Sequence, residues 1–274
     1  MERNAFTPPE VFEKVADSGV GKANGSAAKL FVMGILAGAF IAFGAQASLM
    51  ASFGLTSEPS TFGVGKVVMG AVFPVGLMLV VLCGAELFTG NCLMVTGALE
   101  RKFAWSRIWR NWAIVYAGNL IGSLLIVACI AHSGLWDSGE GLLGAVTVKT
   151  AVGKCGLSFG RAVVLGILCN VLVCLAVWMA TASRELAGKM LAIWFCIGLF
   201  IVSGFEHSVA NMYFIPAGIV AAGNPDYVGL LGLDTGSLSV YSFLIKNLLP
   251  VTIGNILGGS LFVGAAYWLC LKKL

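Results

Sequence analysis

The sequence predicts an all-α membrane protein of six transmembrane helices, laid out as two inverted three-helix repeats with the second and fifth helices broken. Three observations predict it. Of the 274 residues, 58% are hydrophobic and only 11% are charged, whereas soluble domains carry about 25% charged residues. Six long apolar runs take up most of the chain. Two of those runs are too long for one bilayer crossing and have a polar, glycine-bearing centre.

At about 20 residues per crossing, this length leaves little beyond six or seven spans and no room for a soluble catalytic domain. The net charge of +4 is modest, and no Lys/Arg cluster suggests a nucleic-acid partner. Residues 1–28 are polar and lack an apolar h-region, so no cleavable signal peptide is expected. The eight cysteines contain no C-x-x-C pair and read as small apolar fillers. No metal or other cofactor is expected.

Residues 7–18, TPPEVFEKVADS, read as a short amphipathic helix. Thr7 with Glu10 forms a capping box, and the prolines suit the first turn. Val11, Phe12 and Val15 share a face expected to lie on the membrane surface. Residues 1–28 thus form a cytoplasmic N-terminal segment, and 29–274 a transmembrane pore domain. The apolar runs fall at about 30–53, 67–98, 108–131, 160–182, 190–222 and 243–271. The stretch 141–153 is short, contains Lys149 and is expected in a loop. Six spans put both termini on one side. Twelve of the 17 Lys and Arg residues lie in the connections on that side and five on the other. The positive-inside rule therefore predicts cytoplasmic termini in a cell-membrane protein.

As a single helix, residues 67–98 would measure about 48 Å at 1.5 Å per residue, against a hydrocarbon core of about 30 Å. The centres GAELFTGN (84–91) and SGFEHSVAN (203–211) mark where each long run should break. Broken backbone at membrane depth is tolerated only where protein buries it or a wet cavity meets it. The halves, about 29–131 and 160–271, echo each other. Gly84, Glu86 and Asn91 match Gly204, Glu206 and Asn211; Asn111, Gly118, Asn119 and Gly122 match Asn247, Gly254, Asn255 and Gly258. Three spans per half make the second half enter inverted, an arrangement typical of transporters with the path between the two breaks.

Glu86, Glu206 and His207 are ionisable groups deep in apolar runs, and each needs a partner or a function. The glutamates are expected to accept freed backbone N–H groups and hold the breaks in shape. His207 can donate to an anion or pass a proton, with Thr89 of the first break as its hydroxyl partner. Half-helix N-termini at the breaks would favour an anion. Lys154 would raise the local anion concentration. Phe73, Leu77, Leu87, Phe88 and Phe200 flank the breaks and could form dry constrictions. A hydrolase using Ser208 beside His207 is disfavoured, because adjacent helical residues point apart. A neutral-solute pore and an inert scaffold are the other readings.

CGAELFTGN (83–91), NVLVCLAVWM (170–179), SGFEHSVANMYFIPAGI (203–219) and NLLPVTIGNILGG (247–259) resemble the formate/nitrite transporter family over nearly the whole chain. The resemblance implies an aquaporin-like protomer with its own pore, a homopentamer, and a small monovalent anion as substrate. Formate is favoured, with nitrite or hydrosulfide as alternatives and proton coupling through the central histidine. It makes His207 and Thr89 a mid-pore hydrogen-bonded pair. Lys154 becomes the anion-attracting lysine, with Asn170 and Asn255 as polar partners and Glu206 as the glutamate before the histidine. Lys22 follows a gating helix, and Phe73, Leu77 and Phe200 become the hydrophobic slits.

Overall fold

A computed structural model describes residues 5–274. The chain begins with α1 (Pro8–Asn24) and the first span, α2 (Ala27–Thr56). The second span is α3 (Phe62–Val72) continued by α4 (Val75–Cys83), followed by a 3-10 turn at Gly90–Met94 and α5 (Val95–Leu99). Then come α6 (Trp105–Ala131), α7 (Leu142–Cys155), α8 (Phe159–Ala182) and α9 (Leu186–Ser203). The chain ends with α10 (Ser208–Ala221), the short α11 (Pro225–Leu230) and the last span, α12 (Ser242–Lys273). Six of these helices are long and apolar enough to cross a membrane. Among the described residues the only β-pairing is one bridge between Ala5 and Ser183.

Both long runs break where expected. After α4 the chain turns at Gly84 (φ 80°), and after α9 at Gly204 (φ 77°). Neither glycine has a neighbour within 4 Å of where a Cβ would sit, so backbone conformation rather than space selects glycine at both. Pro74 adds a kink inside the second span, between α3 and α4.

Two expectations are corrected. The face of α1 carrying Val11, Phe12 and Val15 is buried in protein, with Phe12 against Trp178 at 6.2 Å between ring centroids. An amphipathic stripe fits a protein groove as well as a lipid surface. Glu13 accepts from Lys102 and Lys272, which hold its carboxyl below the usual range, and Lys102 also bonds Asp17. The stretch 141–153 is helical, because α7 packs against α10 and α2 and buries Leu143, Val146 and Val148. Its 14 residues are too few for a span but enough for a buried helix.

Close helix packing fixes the two halves alike. Gly34 on α2 lies against Val115 and Gly118 of α6, and Gly166 on α8 lies against Val251 and Gly254 of α12. Without a hydrophobic drive inside lipid, such small-residue contacts carry much of the helix association. A methyl group at Gly118 would stand 2.6 Å from the Phe31 carbonyl oxygen, while Gly54, also helical, has nothing within 4 Å. Gly118→Ala should therefore cost about 1–3 kcal/mol and lower the melting temperature in detergent. Gly54→Ala should leave it unchanged or slightly raised; equal melting of the two variants would contradict this packing.

Candidate functional site

Each break is held by the same set of side chains. At the first, Asn119 Nδ2 donates to the carbonyls of Gly34 (2.8 Å) and Glu86 (2.9 Å), and its Oδ1 accepts the Phe88 N–H at 2.9 Å. At the second, Asn255 Nδ2 donates to Gly166 (2.8 Å) and Glu206 (3.0 Å), and its Oδ1 accepts the Ser208 N–H at 2.9 Å. The N–H groups of Glu86 and Glu206 donate to Met33 and Leu165, both at 3.2 Å. The glutamate carboxylates do other work than expected. Glu86 accepts from Lys22 Nζ (2.9 Å) and Asn91 Nδ2 (2.6 Å). Glu206 accepts from Lys154 Nζ (2.8 Å) and Asn211 Nδ2 (2.6 Å). A carboxylate only accepts, whereas an asparagine satisfies both orphaned N–H and C=O groups. Asn111 and Asn247 close the two sets by donating to the carbonyls of Lys22 (3.3 Å) and Lys154 (2.9 Å).

Between the breaks, His207 Nε2 lies 2.8 Å from Thr89 Oγ1. His207 also caps α10, its Nδ1 accepting the Ala210 N–H at 2.9 Å. An accepting Nδ1 carries no hydrogen, so the neutral ring is protonated at Nε2 and donates to Thr89. The Thr89 hydroxyl hydrogen is then free for another acceptor. Ser208 and Ala210 spend their N–H groups on Asn255 and His207, which leaves less of the α10 N-terminus for an anion than the sequence suggested. Asn170 ties the breaks together by donating to the carbonyls of Thr89 (3.2 Å) and Asn255 (2.6 Å). Ser208 Oγ has no hydrogen-bond partner, so no Ser–His pair exists for acyl chemistry.

Three cavities are lined by residues of the two breaks. One of about 470 Å³ contains Lys22, Lys29 and Glu86, with Leu77 and Leu87 in its wall. Another of about 320 Å³ contains Lys154 and Glu206, with Phe214 in its wall. Between them is a chamber of about 10 Å³ lined by Phe73, Leu77, Leu87, Phe200, His207 and three residues the sequence reading missed, Ile41, Val173 and Ile197. Phe73 meets Phe200 edge-on at 5.7 Å and stacks on Phe214 at 6.4 Å. Phe88 is elsewhere, its ring against Trp112 (5.8 Å) and Tyr116 (4.8 Å). Its backbone serves the break and its ring faces away, an orientation that spacing alone cannot assign in a non-helical segment.

Lys66 and Lys149 share the second vestibule with Lys154. The sequence reading gave neither of them a part in the path. They differ from Lys154 in being unpaired: neither forms an ion pair among the described residues, and Lys149 reaches only the Thr56 carbonyl at 3.4 Å.

The family model described as formate/nitrite transporter matches residues 9–269. The chain is 41% identical over 266 residues to the formate channel FocA of Escherichia coli (strain K12), covering 95% of this chain and 93% of the relative. It is 39% identical over 272 residues to the formate channel BtFdhC of Bacillus thuringiensis, covering 98% and 97%. A solved pentameric formate channel with formate bound superposes with a TM-score of 0.79 at 34% identity, covering 90% of this chain and 98% of that one.

The buried pairs yield a sharp energetic expectation. Glu206 and Lys154 side chains are only 7% and 16% exposed, so Lys154→Met should strand a buried carboxylate and cost about 3–5 kcal/mol. Adding Glu206→Gln should recover most of that loss, since the glutamine oxygen can still accept from Asn211. Thermal unfolding of both single variants and the double variant measures the coupling. Additive losses would refute a shared buried pair.

Proposed function

The chain belongs to the formate/nitrite transporter family, and from that premise we propose that it is a formate channel, assembled as a homopentamer in the cell membrane with both termini cytoplasmic. One observation carries the reading of the site: His207, hydrogen-bonded to Thr89, lines a tiny apolar chamber between two lysine-bearing vestibules. The lysine asymmetry of the connections supports the orientation. Formate as cargo and the pentamer follow the similarity to formate channels, one of them pentameric with formate bound.

An anion entering an apolar constriction sheds water at high cost unless donors replace it. A chamber of about 10 Å³ is near the room one water needs, so passage requires Phe73, Leu77, Leu87 and Phe200 to swing aside. What remains at the chamber is the ring of His207, its Nε2–H on Thr89 Oγ1 and the Thr89 hydroxyl hydrogen left free behind it. With the Nε2–H spent on Thr89 Oγ1, the Thr89 hydroxyl hydrogen is the one open to an oxygen anion. Protonating the ring would set an Nδ1–H against the Ala210 N–H, so any proton coupling through His207 is tied to loosening the first turn of α10. Lys22 and Lys154 position the vestibule floors, with Glu206, Asn170 and Asn255 holding the second break in register.

Attraction of the anion falls to other cations. Lys154 is committed to Glu206, leaving Lys66 and Lys149 as unpaired charge in that vestibule. Electrostatic focusing in such a cleft raises the local concentration of the opposite charge.

Two measurements in proteoliposomes test this account. His207→Phe should reduce formate flux about ten- to a hundredfold, the worth of one hydrogen bond to a charged group, and flatten its dependence on pH. Unchanged flux and pH response would remove His207 from the mechanism. Lys66→Gln with Lys149→Gln should lower flux about two- to fourfold at low salt and converge on wild type at high salt, where the field is screened. A loss independent of salt would instead mean that the lysines act sterically.

A further inference from the structure

A second cationic site lies away from the chamber, where α8 turns into α9. A cavity of about 520 Å³ there is lined by Phe6, Lys14, Ser18, Ser183, Arg184 and Lys189, among others, and by no Asp or Glu. None of its three cations forms an ion pair among the described residues. Glu185, next to Arg184 in the chain, is not part of the lining.

Two of the cations are fixed by one ring. Lys14 Nζ lies 4.2 Å and Arg184 Cζ 4.3 Å from the centroid of Phe6. The ring is anchored in turn, because the Phe6 N–H donates to the Ala182 carbonyl at 2.9 Å and Ala5 bridges Ser183. A cation held over an aromatic face is positioned electrostatically by the ring and keeps its N–H donors. A carboxylate partner would have used them. The result is a preset fork of donors with no acceptor among the described residues, plus the charge of Lys189, a match for an anion with several acceptor oxygens such as a phosphate ester.

The surroundings favour a lipid source for that phosphate. From the cavity, α9 begins at Leu186, and its outward residues Leu186, Leu191 and Phe195 are 63%, 55% and 63% exposed. A free ion has no use for that apolar surface. A phospholipid meets both features, its head among the cations and its chains along the span. Basic pockets at the ends of transmembrane helices bind acidic lipid headgroups by this logic.

We propose that Phe6, Lys14, Arg184 and Lys189 bind the phosphate headgroup of an anionic phospholipid whose acyl chains lie along α9. The cavity shares Ser18, Val81, Val177 and Thr181 with the Lys22–Glu86 vestibule, so the bound lipid borders that mouth and links α1 to the bundle.

Native mass spectrometry of the full chain tests the site without reference to transport. Phosphatidylglycerol, phosphatidylcholine and inorganic phosphate are each titrated into wild type, into the triple variant K14Q/R184Q/K189Q, and into Phe6→Leu. Each cation removed should weaken phosphatidylglycerol about fivefold. Phe6→Leu should weaken it too, although it removes no charge, and K14R/K189R should retain it. The intact mass of each variant reports whether it still assembles. Equal phosphatidylglycerol binding by the triple variant and wild type overturns the site, as does phosphatidylcholine binding as tightly as phosphatidylglycerol. Inorganic phosphate competing on equal terms with the lipid assigns the fork to a free anion and overturns the lipid assignment.

Discussion

A helix broken at membrane depth leaves backbone donors and acceptors where no water can reach them, each costing several kcal/mol if left bare. Everything at the centre of this molecule depends on meeting that constraint twice. Asn119 and Asn255 do so with a carboxamide that donates twice and accepts once at each break. Their positions depend on α6 and α12 lying close enough to α2 and α8 to reach the carbonyls of Gly34 and Gly166. Close approach is set by the matched glycines. The breaks, the glycine seams and the asparagines are one design, repeated in inverted form.

The repeat also shows where scaffold ends and chemistry begins. The lysine–glutamate–asparagine sets agree side chain for side chain across the two halves. The chamber does not. Counting from Gly84 and Gly204, Leu87 holds the place of His207, and Val209 holds the place of Thr89. One polar group comes from each half, and each stands where its counterpart is apolar. A buried hydrogen-bonded pair appears only because the two halves meet there. The symmetric residues shape and stabilise the path, while the departures from symmetry give it a polar point.

Charge divides along the same lines. Glu86 and Glu206 neutralise Lys22 and Lys154 at close range, so those ion pairs work locally, holding α1 and α7 against the breaks. A paired lysine projects little field. The unpaired cations, Lys66 and Lys149 on one side and the Phe6-bound group on the other, face the surroundings instead. None of them has a carboxylate partner among the described residues.

Read alone, the sequence determined six spans, two breaks and the inverted duplication, because bilayer thickness, residue rise and unsatisfied backbone are constraints any chain must obey. It also placed His207 and Thr89 at the centre, since a lone imidazole in an apolar run with a matching break has few other places to go. Tertiary structure alone decided the rest. Only packing shows that α7 is a buried helix, that α1 presses its apolar stripe on protein, and that Phe88 turns from the chamber while Ile41, Val173 and Ile197 enter it. Local patterns state which face of an element is apolar but not what that face will meet. Which lysine finds a carboxylate and which stays free likewise depends on residues far apart in sequence brought within a few ångströms.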